Sequence, residues 1–371
     1  MIIGIEASNI LAGGGLVHLK ELLNHANPEV HGFERLIVWA PQSTLVQLPD
    51  KSWLEKKSHP WLNRNILFRI LWQTFVLPKT LKGIIDVLFV PGANAVSFSP
   101  VVTMCQNLLP FDVSERRLYG FSWMRVRLKL LYYTQMNAFE KAKRVVFLTP
   151  SSVHYVSDEK IAIASKAIVI PHGIKKDFYH LPETIEEKGS LKLLYVSIVD
   201  VYKHQWNVVE AVQGLLEKGH DIELQCVGSY YKPALQKLNQ ALMSKPQHAD
   251  RITYTPLVPY ESLKEVYQTA DIFVFASSCE TFSLILLEAM ASGLPIVCSN
   301  KDTLRDTLQD AGVYFNPYDS KDIERVLLNL IEDKQLRDDL RKKAYQRAIS
   351  YSWSKCADLT FSCLVEAGKG V

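Results

Sequence analysis

The 371-residue sequence lacks the patterns that mark several classes of protein. Its six cysteines form no C-x-x-C pair and no metal-type spacing, which excludes a disulfide scaffold and a cysteine-based metal motif. No uninterrupted apolar run reaches the roughly 18 residues needed to span a bilayer. The run Met1–Glu6 has no basic flank, so it predicts a first strand and not a signal peptide. We therefore expect a reduced, cytoplasmic protein that is at most peripheral, on the inner face of the cell membrane.

Apolar residues are abundant, at 48%, and the length exceeds that of one typical domain, so two domains with substantial cores are expected. The net charge of +3 is unevenly distributed. Residues 1–180 carry 21 Lys and Arg against 13 Asp and Glu, whereas residues 181–371 carry 21 against 26. Balances of +8 and −5 indicate that the two halves face different partners, one of them anionic.

Short apolar runs alternate with amphipathic segments, which is typical of βα units around parallel sheets. Twelve runs predict strands: Ile2–Ala7, Leu36–Ala40, Val87–Val90, Val101–Cys105, Val145–Leu148, Ala167–Ile170, Leu191–Ser197, Glu223–Val227, Ile252–Tyr254, Ile272–Ala276, Pro295–Cys298 and Val313–Phe315. The polar stretch around residues 173–190 predicts a linker. We therefore predict an α/β protein with Rossmann-like domains at 1–172 and 191–350, facing a central cleft where a ligand would bind.

The segment Asp271–Asn300 reads as strand, turn, helix and strand, and it carries two glutamates. Glu280 falls at the turn, and Glu288 lies eight residues further on, roughly 12 Å along a helix axis. Backbone amides from Thr281 to Leu284 would stand at the helix N-terminus and offer an anion site. Two isolated glutamates are also compatible with solvated surface charges, and only their context separates the two interpretations.

That context resembles the signature of the retaining glycosyltransferases of family 4, which have the GT-B fold. Glu280 and Glu288, spaced as Glu-x7-Glu, are followed by Ala289–Pro295 (AMASGLP). The resemblance implies that Glu280 contacts the transferred sugar and acts in catalysis, and that Glu288 binds the ribose of the nucleotide. The family's Gly-Phe-Gly is Thr281-Phe282-Ser283 here, so hydroxyls replace glycines while the backbone contact to phosphate is expected to persist.

The same resemblance implies further donor-binding residues. Lys203 matches the lysine that contacts the diphosphate, whereas Ile198 stands where the family has an arginine. Gly228 matches the glycine that ends a strand beside the donor. The loop Thr255–Pro259, with Leu257 and Val258, resembles the wall beside the nucleotide base. The segment 351–371 resembles the closing helix that crosses back to the N-terminal domain.

The N-terminal half resembles the family more loosely. Its glycine run follows the first strand, precedes a helix predicted at Leu16–Ala26, and lacks dinucleotide-type spacing, so a dehydrogenase is disfavoured. The resemblance implies a phosphate and acceptor loop there, and an acceptor side where amides replace the family's His-Asp pair. A histidine also falls at the linker position, where it either lines the cleft or is structural. These residues are Gly13, Gly14, Gly15, Gln106, Asn107 and His172.

The stretch Arg116–Arg144 carries eight Lys and Arg against one acid, with six aromatic residues interleaved. Such a pattern suits an anionic membrane face, but it equally suits a solvated helix with a buried aromatic side. No nucleic-acid motif accompanies the charge, so a nucleic-acid partner is not expected. The segment Trp61–Leu77 adds further aromatic residues.

Together these features predict a hexosyltransferase that moves a sugar from a nucleotide-diphosphate donor to a hydroxyl, with retention. The family resemblance implies a glycan or lipid-linked oligosaccharide acceptor, in bacterial lipopolysaccharide, O-antigen or capsule synthesis. No cofactor or metal is expected, in keeping with the absence of a D-x-D motif. The alternatives are an epimerase or phosphorylase of the same fold, or a non-catalytic nucleotide-sugar-binding subunit.

Overall fold

The computed structural model describes residues 1–157, 161–182 and 189–370. The chain forms two compact units. The first unit contains residues Met1–Val113, Phe121–Gly173 and Ser352–Val371, and the second contains Ser114–Gly120 and Ile174–Tyr351. The predicted boundaries differ from this division at Ser114–Gly120, which cluster with the second unit. Residues 183–188 of the predicted linker lie outside the described residues.

The first unit is built on a seven-stranded, wholly parallel sheet. Its strands are β1 (Ile2–Glu6), β2 (Arg35–Trp39), β3 (Leu54–Lys57), β4 (Val87–Val90), β5 (Val101–Met104), β6 (Arg144–Phe147) and β7 (Ala167–Val169). They are ordered β3-β2-β1-β4-β5-β6-β7. In the register at the centre, Gly4 of β1 pairs with Ile37 on one side and Leu88 on the other. The order reverses between β1 and β4, which is the topological switch point of this sheet.

Helices and one π-helical turn surround this sheet. Their bounds are Gly13–Asn24, Pro28–His31, Gln42–Leu45, Pro60–Asn63 (3-10), Ile66–Leu71, Trp72–Val76 (π), Leu77–Leu81, Trp123–Lys141, Pro150–Ser157, Ile161–Ala164 and Trp353–Lys369. The helix predicted at Leu16–Ala26 begins earlier, at Gly13, so the glycine run forms its first turn and not a loop. Trp353–Lys369 packs within the first unit, where Gly368 lies against Met1 and Val87.

The second unit holds a six-stranded parallel sheet in the order β10-β9-β8-β11-β12-β13. Its strands are β8 (Leu191–Val196), β9 (Ile222–Val227), β10 (Ile252–Thr255), β11 (Ile272–Phe275), β12 (Ile296–Ser299) and β13 (Gly312–Phe315). Near-continuous apolar runs make these strands, because parallel strands are covered on both faces. Phe273 and Phe275 of β11 and Tyr195 of β8 are almost wholly buried there. The switch point of this sheet falls between β8 and β11.

Helices and short 3-10 turns connect the strands of the second unit. Their bounds are Val113–Leu118 (whose first residue clusters with the first unit), Lys176–Phe178 (3-10), Val201–Lys203 (3-10), Gln205–Glu217, Lys232–Ser244, Pro246–His248 (3-10), Tyr260–Ser262 (3-10), Leu263–Gln268, Leu284–Ala291, Asp302–Leu308, Ser320–Glu332 and Lys334–Ile349. The prediction of two Rossmann-like parallel-sheet units is confirmed. No helix among the described residues combines the length and apolar composition needed to cross a bilayer.

Candidate active site at the switch point of the second unit

A buried ion pair lies at the switch point of the second unit. Lys203 ends the short 3-10 turn that follows β8, and Glu280 follows the neighbouring strand β11. The ammonium of Lys203 donates to Oε1 of Glu280, and their side chains are only 4% and 15% exposed. Carboxyl ends of parallel strands meet at one edge of a sheet, so topology alone brings these two residues together over 77 positions of sequence.

Both members of the pair are fixed by further contacts. The Ser277 hydroxyl donates to Oε1 of Glu280 at 2.7 Å. The Lys203 ammonium lies 4.9 Å from the ring centroids of both Tyr202 and Phe275, within cation–π range. A charge held this way needs little reorganisation when a charged ligand arrives, and low-dielectric surroundings strengthen its field.

The turn that carries Lys203 is held by its own hydrogen bonds. Asp200 accepts from the Val201 amide at 2.7 Å, and the Lys203 amide donates to the Asp200 carbonyl at 3.0 Å. The Tyr119 hydroxyl donates to Asp200 at 3.0 Å, which the sequence pattern did not reveal. Burial raises the pKa of Asp200, and these hydrogen bonds oppose that shift. The backbone of this turn is therefore set before any ligand binds.

His204 is a second feature that the sequence did not indicate. Its backbone is left-handed, with φ of 49°, and its ring is 3% exposed. Nε2 lies 2.9 Å from the hydroxyl of Ser278, which belongs to the segment after β11. Burial, aided by Lys301 and Lys237, lowers the pKa of His204 to about 4, so the ring is neutral near pH 7. It joins the two loops of the switch point by hydrogen bonding and not by charge.

Glu288 lies inside the second unit, on the helix Leu284–Ala291, and is 4% exposed. The hydroxyls of Tyr260 and Tyr267 donate to its two carboxylate oxygens at 3.1 and 3.0 Å. Burial raises the pKa of Glu288 to about 7, although both tyrosines and Lys175 act to lower it. This carboxylate is therefore poised to change charge near neutrality, and it is not a solvated surface residue.

The predicted anion-binding stretch is buried and ends in a helix cap. Thr281, Phe282 and Ser283 are all buried, and Leu284 is the first residue of the helix. The Ser283 hydroxyl accepts from the Leu286 amide at 3.1 Å, so a serine fills the N-cap role, as expected once glycine is replaced. The Phe282 ring packs against Tyr351, with centroids 5.6 Å apart.

Gly228 directly follows β9, at a position where no side chain would fit. Its φ is 142°, and a β-carbon would lie 2.1 Å from the Ser197 carbonyl oxygen. The loop after β10 is open by contrast, since Leu257 is 77% exposed and Val258 is half-buried. Ile198, which stands at the family's arginine position, is 38% exposed. Lys203 consequently carries the positive charge at this turn without an arginine beside it.

Two of the predicted acceptor-side positions lie close together in the first unit. A β-carbon on Gly15 would lie 3.2 Å from Oε1 of Gln106. Asn107 accepts from the Leu109 amide at 3.0 Å and shapes its own turn. Gly13 opens the helix with φ of 68°, and Gly14 follows it in the same turn. The glycines and Gln106 thus border one edge of the first sheet.

His172 is placed differently from a residue that lines an open cleft. It is 6% exposed, and its ring packs 5.3 Å from the Trp353 ring centroid within the first unit. Gly173 makes this approach possible, because a β-carbon there would lie 2.0 Å from the Trp353 amide nitrogen. Of the two roles open for His172, its burial favours the structural one.

A buried polar cluster at the switch point of the first unit was missed by sequence reasoning. Glu6, which ends β1, accepts from the Ser8 amide at 3.0 Å and from the Gln73 amide group at 3.3 Å. Gln73 also donates to the Ser8 hydroxyl at 2.6 Å. Burial raises the pKa of Glu6, while the hydrogen bonds from Ser8 and Gln73 oppose the shift. Gln73 lies on a π-helical turn, a conformation common at functional sites.

The rim of this cluster contains one residue with a strained backbone and, among the described residues, two buried polar atoms without a hydrogen-bond partner. Ala93, just after β4, has a left-handed φ of 52°, which is costly for a residue with a β-carbon. Oδ1 of Asn9 and Nε of Arg69 are buried and have no hydrogen-bond partner among the described residues. Asn9 and Ala93 closely follow β1 and β4, whereas Arg69 lies on the helix Ile66–Leu71, so no single sequence motif marks this rim.

Residues 180–347 match the family model described as "Glycosyl transferases group 1". The matched range contains Lys203, Glu280 and Glu288, and it covers most of the second unit. This segment, somewhat less than half of the chain, is similar to the group 1 glycosyl transferases.

One similar relative is an O-antigen chain mannosyltransferase B of Escherichia coli. It is 29% identical over 169 residues, which are 46% of this chain and 44% of the relative. The match thus spans less than half of that relative's length.

The fold of nearly the whole chain is similar to the folds of solved structures. A sucrose-phosphate synthase from Thermosynechococcus elongatus has a TM-score of 0.74 at 15% identity, covering 97% of both chains. Anabaena Alr3699/HepE in complex with UDP-glucose has a TM-score of 0.70 at 14% identity and covers 100% of both. At such identities the likeness establishes the fold, and the predicted GT-B fold is confirmed.

Proposed function

We propose that this protein is a retaining glycosyltransferase that moves a sugar from a nucleoside-diphosphate donor to a hydroxyl of a glycan or lipid-linked oligosaccharide. The Lys203–Glu280 pair is the observation that carries the proposal, because it puts one cation and one carboxylate at a switch point. The match of residues 180–347 to the family model and the fold shared with a UDP-glucose complex support a nucleotide-sugar donor.

Lys203 would stabilise the diphosphate of the donor. The leaving diphosphate gains negative charge as its bond to the sugar breaks, and a fixed ammonium favours that charge most in the transition state. Binding would exchange the Glu280 partner of Lys203 for phosphate oxygens. Backbone amides at Thr281–Leu284 would add hydrogen bonds to the same group.

Glu280, freed from Lys203, would face the reacting sugar. In the proposed step the bond between the anomeric carbon and the phosphate oxygen breaks, and its electron pair stays with the diphosphate. The acceptor oxygen attacks the cationic carbon from the same face, and its proton passes to the departing phosphate. Glu280 stabilises the positive charge that develops on the sugar. We include no metal and no cofactor in this step.

Glu288 would accept hydrogen bonds from the ribose hydroxyls of the donor. Its carboxylate is already ordered by Tyr260 and Tyr267, so little side-chain entropy is lost on binding. Leu257 and Val258, in the loop after β10, would contact the base.

The acceptor would bind to the first unit, at Glu6, Gln73 and Asn94, with Gln106 and Asn107 nearby along the same sheet edge. Carboxylate and amide groups suit hydroxyl-rich sugars, and none of these groups demands a charged ligand. The O-antigen mannosyltransferase among the relatives supports a role in bacterial lipopolysaccharide, O-antigen or capsule synthesis.

One face of the helix Trp123–Lys141 would rest on an anionic membrane. Its exposed apolar side chains recur every three or four residues, and exposed cations lie beside them. This membrane face comprises Trp123, Val126, Arg127, Lys129, Leu130 and Tyr133. The enzyme would then work in the cytoplasm, peripherally on the inner face of the cell membrane.

A two-stage experiment tests the reaction class. A thermal-shift screen of UDP-, GDP-, ADP- and dTDP-sugars should show one donor that raises the melting temperature. That donor should then be consumed only when a glycan acceptor is present, and NMR of the product should show a retained anomeric configuration. Turnover of the donor without acceptor indicates an epimerase, and binding without turnover across an acceptor panel indicates a binding subunit. Either result contradicts the proposal.

A further inference from the structure

Three buried side chains of the first unit converge at one point. His18 lies on the helix Gly13–Asn24, His172 follows β7, and Cys356 lies in the first turn of the helix Trp353–Lys369. Each offers one ligand atom, and these atoms all lie within 4.8 Å of one another. Their sequence positions are too far apart for any spacing motif to reveal the group.

His18 contrasts with another buried histidine of the same unit. Nδ1 of His31 accepts from the Asn27 amide at 3.0 Å, and its Nε2 lies 2.8 Å from Asp358. His18 is 1% exposed, and neither of its ring nitrogens has a hydrogen-bond partner among the described residues. A buried polar atom without a partner costs roughly 1–3 kcal/mol. Coordination of a cation by His18 would offset that cost.

The two imidazoles are ready to bind a cation, whereas the thiol must first lose its proton. Burial lowers the pKa of His18 to about 4, and burial together with His18 lowers the pKa of His172, so both rings keep a lone pair near pH 7. Burial raises the pKa of the Cys356 thiol to about 12, and a hydrogen bond with Thr360 acts against this. A cation would therefore displace the thiol proton as it binds.

We propose that His18, His172 and Cys356 form a structural zinc site, with two imidazole ligands, one thiolate and a fourth position for water. Binding forms two Zn–N bonds and one Zn–S bond and releases the Cys356 proton to solvent. Zn–N bonds of about 2.0–2.1 Å and Zn–S bonds of about 2.3 Å place tetrahedral ligand atoms roughly 3.3–3.8 Å apart. Side-chain adjustments of about 1 Å close the 4.8 Å span to that geometry.

Such an ion would join three elements at a tightly packed point. Gly173 follows His172 and lies against the backbone of Trp353, which begins the helix that carries Cys356. Metal binding to the folded state alone would stabilise the first unit. The site takes no part in the proposed sugar transfer, so its test does not depend on that function.

Metal titration of the full-length protein tests the site. Protein stripped with a chelator should take up one Co²⁺ per chain, with a thiolate-to-cobalt band in the near ultraviolet. Zn²⁺ should displace the cobalt and raise the melting temperature. Cys356→Ser should abolish the band and weaken binding at least about 100-fold, because loss of a ligand should cost more than loss of a group that only orients one. Cys363→Ser is the matched control, because Cys363 is buried two turns further along the same helix.

The wild-type titration decides the matter even if a variant fails to fold. Uptake of far less than one Co²⁺ per chain, or absence of the thiolate band, overturns the proposal. Equal loss of the band in Cys356→Ser and Cys363→Ser also overturns it. His18→Gln and its control His31→Gln provide a second pair, and only the first should weaken Co²⁺ binding.

Discussion

The two sheets of this protein present different chemistry at equivalent places. At the switch point of the second unit, between β8 and β11, Lys203 and Glu280 form a buried ion pair. At the switch point of the first unit, between β1 and β4, Glu6 is bound by Ser8 and Gln73, and no ion pair to Glu6 occurs among the described residues. One edge thus offers a cation paired with a carboxylate, and the other offers hydrogen-bonding groups around a single carboxyl. Under the proposed function, the same topology would bind a diphosphate in one unit and sugar hydroxyls in the other.

This contrast predicts that changes at the second unit affect rate and donor binding, whereas changes at the first affect the acceptor. The largest effect is expected for Glu280→Ala. Loss of a group that stabilises transition-state charge should lower kcat by roughly 10²–10³-fold. Steady-state transfer assays measure this, with Glu261→Ala, an exposed glutamate of the second unit, as control. Undiminished transfer by a folded Glu280→Ala variant would refute the assignment.

The next effect in size is a pH-dependent change in the free energy of unfolding, and it arises from Glu288. Because its folded-state pKa of about 7 lies above its ordinary value of 4.5, the stabilising contribution is complete below pH 4.5 and is lost as pH rises toward 7. Relative to Glu288→Gln, the wild type should lose up to about 3 kcal/mol over that range. Urea unfolding at pH 5 and pH 8 measures the difference. Parallel pH profiles for the two proteins would contradict the buried, protonated carboxyl.

A substitution at the polar rim of the first unit should change the KM for acceptor about tenfold. Asn9→Ala removes a buried oxygen that has no partner among the described residues, so the folded protein should be little affected. The KM for acceptor should rise about 10-fold, which corresponds to one hydrogen bond, while the KM for donor stays constant. Asn239→Ala, a half-buried asparagine of the second unit, is the control. An increase confined to the donor KM would contradict the assignment of acceptor binding to the first unit.

The smallest effect concerns the membrane face. Replacing Arg127 by Gln removes one exposed cation, worth about 1 kcal/mol near an anionic surface, so partition to anionic vesicles should fall about 5-fold. Trp123→Ala should weaken it further through lost apolar burial. Met243→Ala, exposed on the second unit, should leave partition unchanged. Failure of the wild-type protein to sediment with anionic vesicles would contradict the proposed contact between the membrane face and a bilayer.

The fold was largely predictable because apolar runs mark buried parallel strands directly. All twelve predicted strands occur, and β3 is the strand that was missed. It reads LEKK and lies at the edge of its sheet, where polar side chains on both faces leave no apolar run. The family resemblance predicts a phosphate and acceptor loop at the glycine run, whereas packing of Leu16 and Leu19 makes this run the first turn of a helix.

The site was predictable only where a motif carried it. Lys203, Glu280 and Glu288 were identified from the family pattern, and the structure pairs the first two directly. Contacts from Tyr119, His204, Tyr260 and Tyr267 were not foreseen, because they join residues distant in sequence and leave no periodic signal. The cluster around Glu6 was not predicted, for the same reason.

Calorimetric titration of Lys203→Ala tests the central claim most directly, namely that the switch point of the second unit binds the donor diphosphate. The ligand is the nucleoside diphosphate of whichever donor raises the melting temperature most, and Lys264→Ala, an exposed lysine of the same unit, is the control. We predict binding at least about 10-fold weaker in Lys203→Ala, since a charge-assisted phosphate contact is lost. Equal affinity in the wild type, Lys264→Ala and Lys203→Ala would contradict the account.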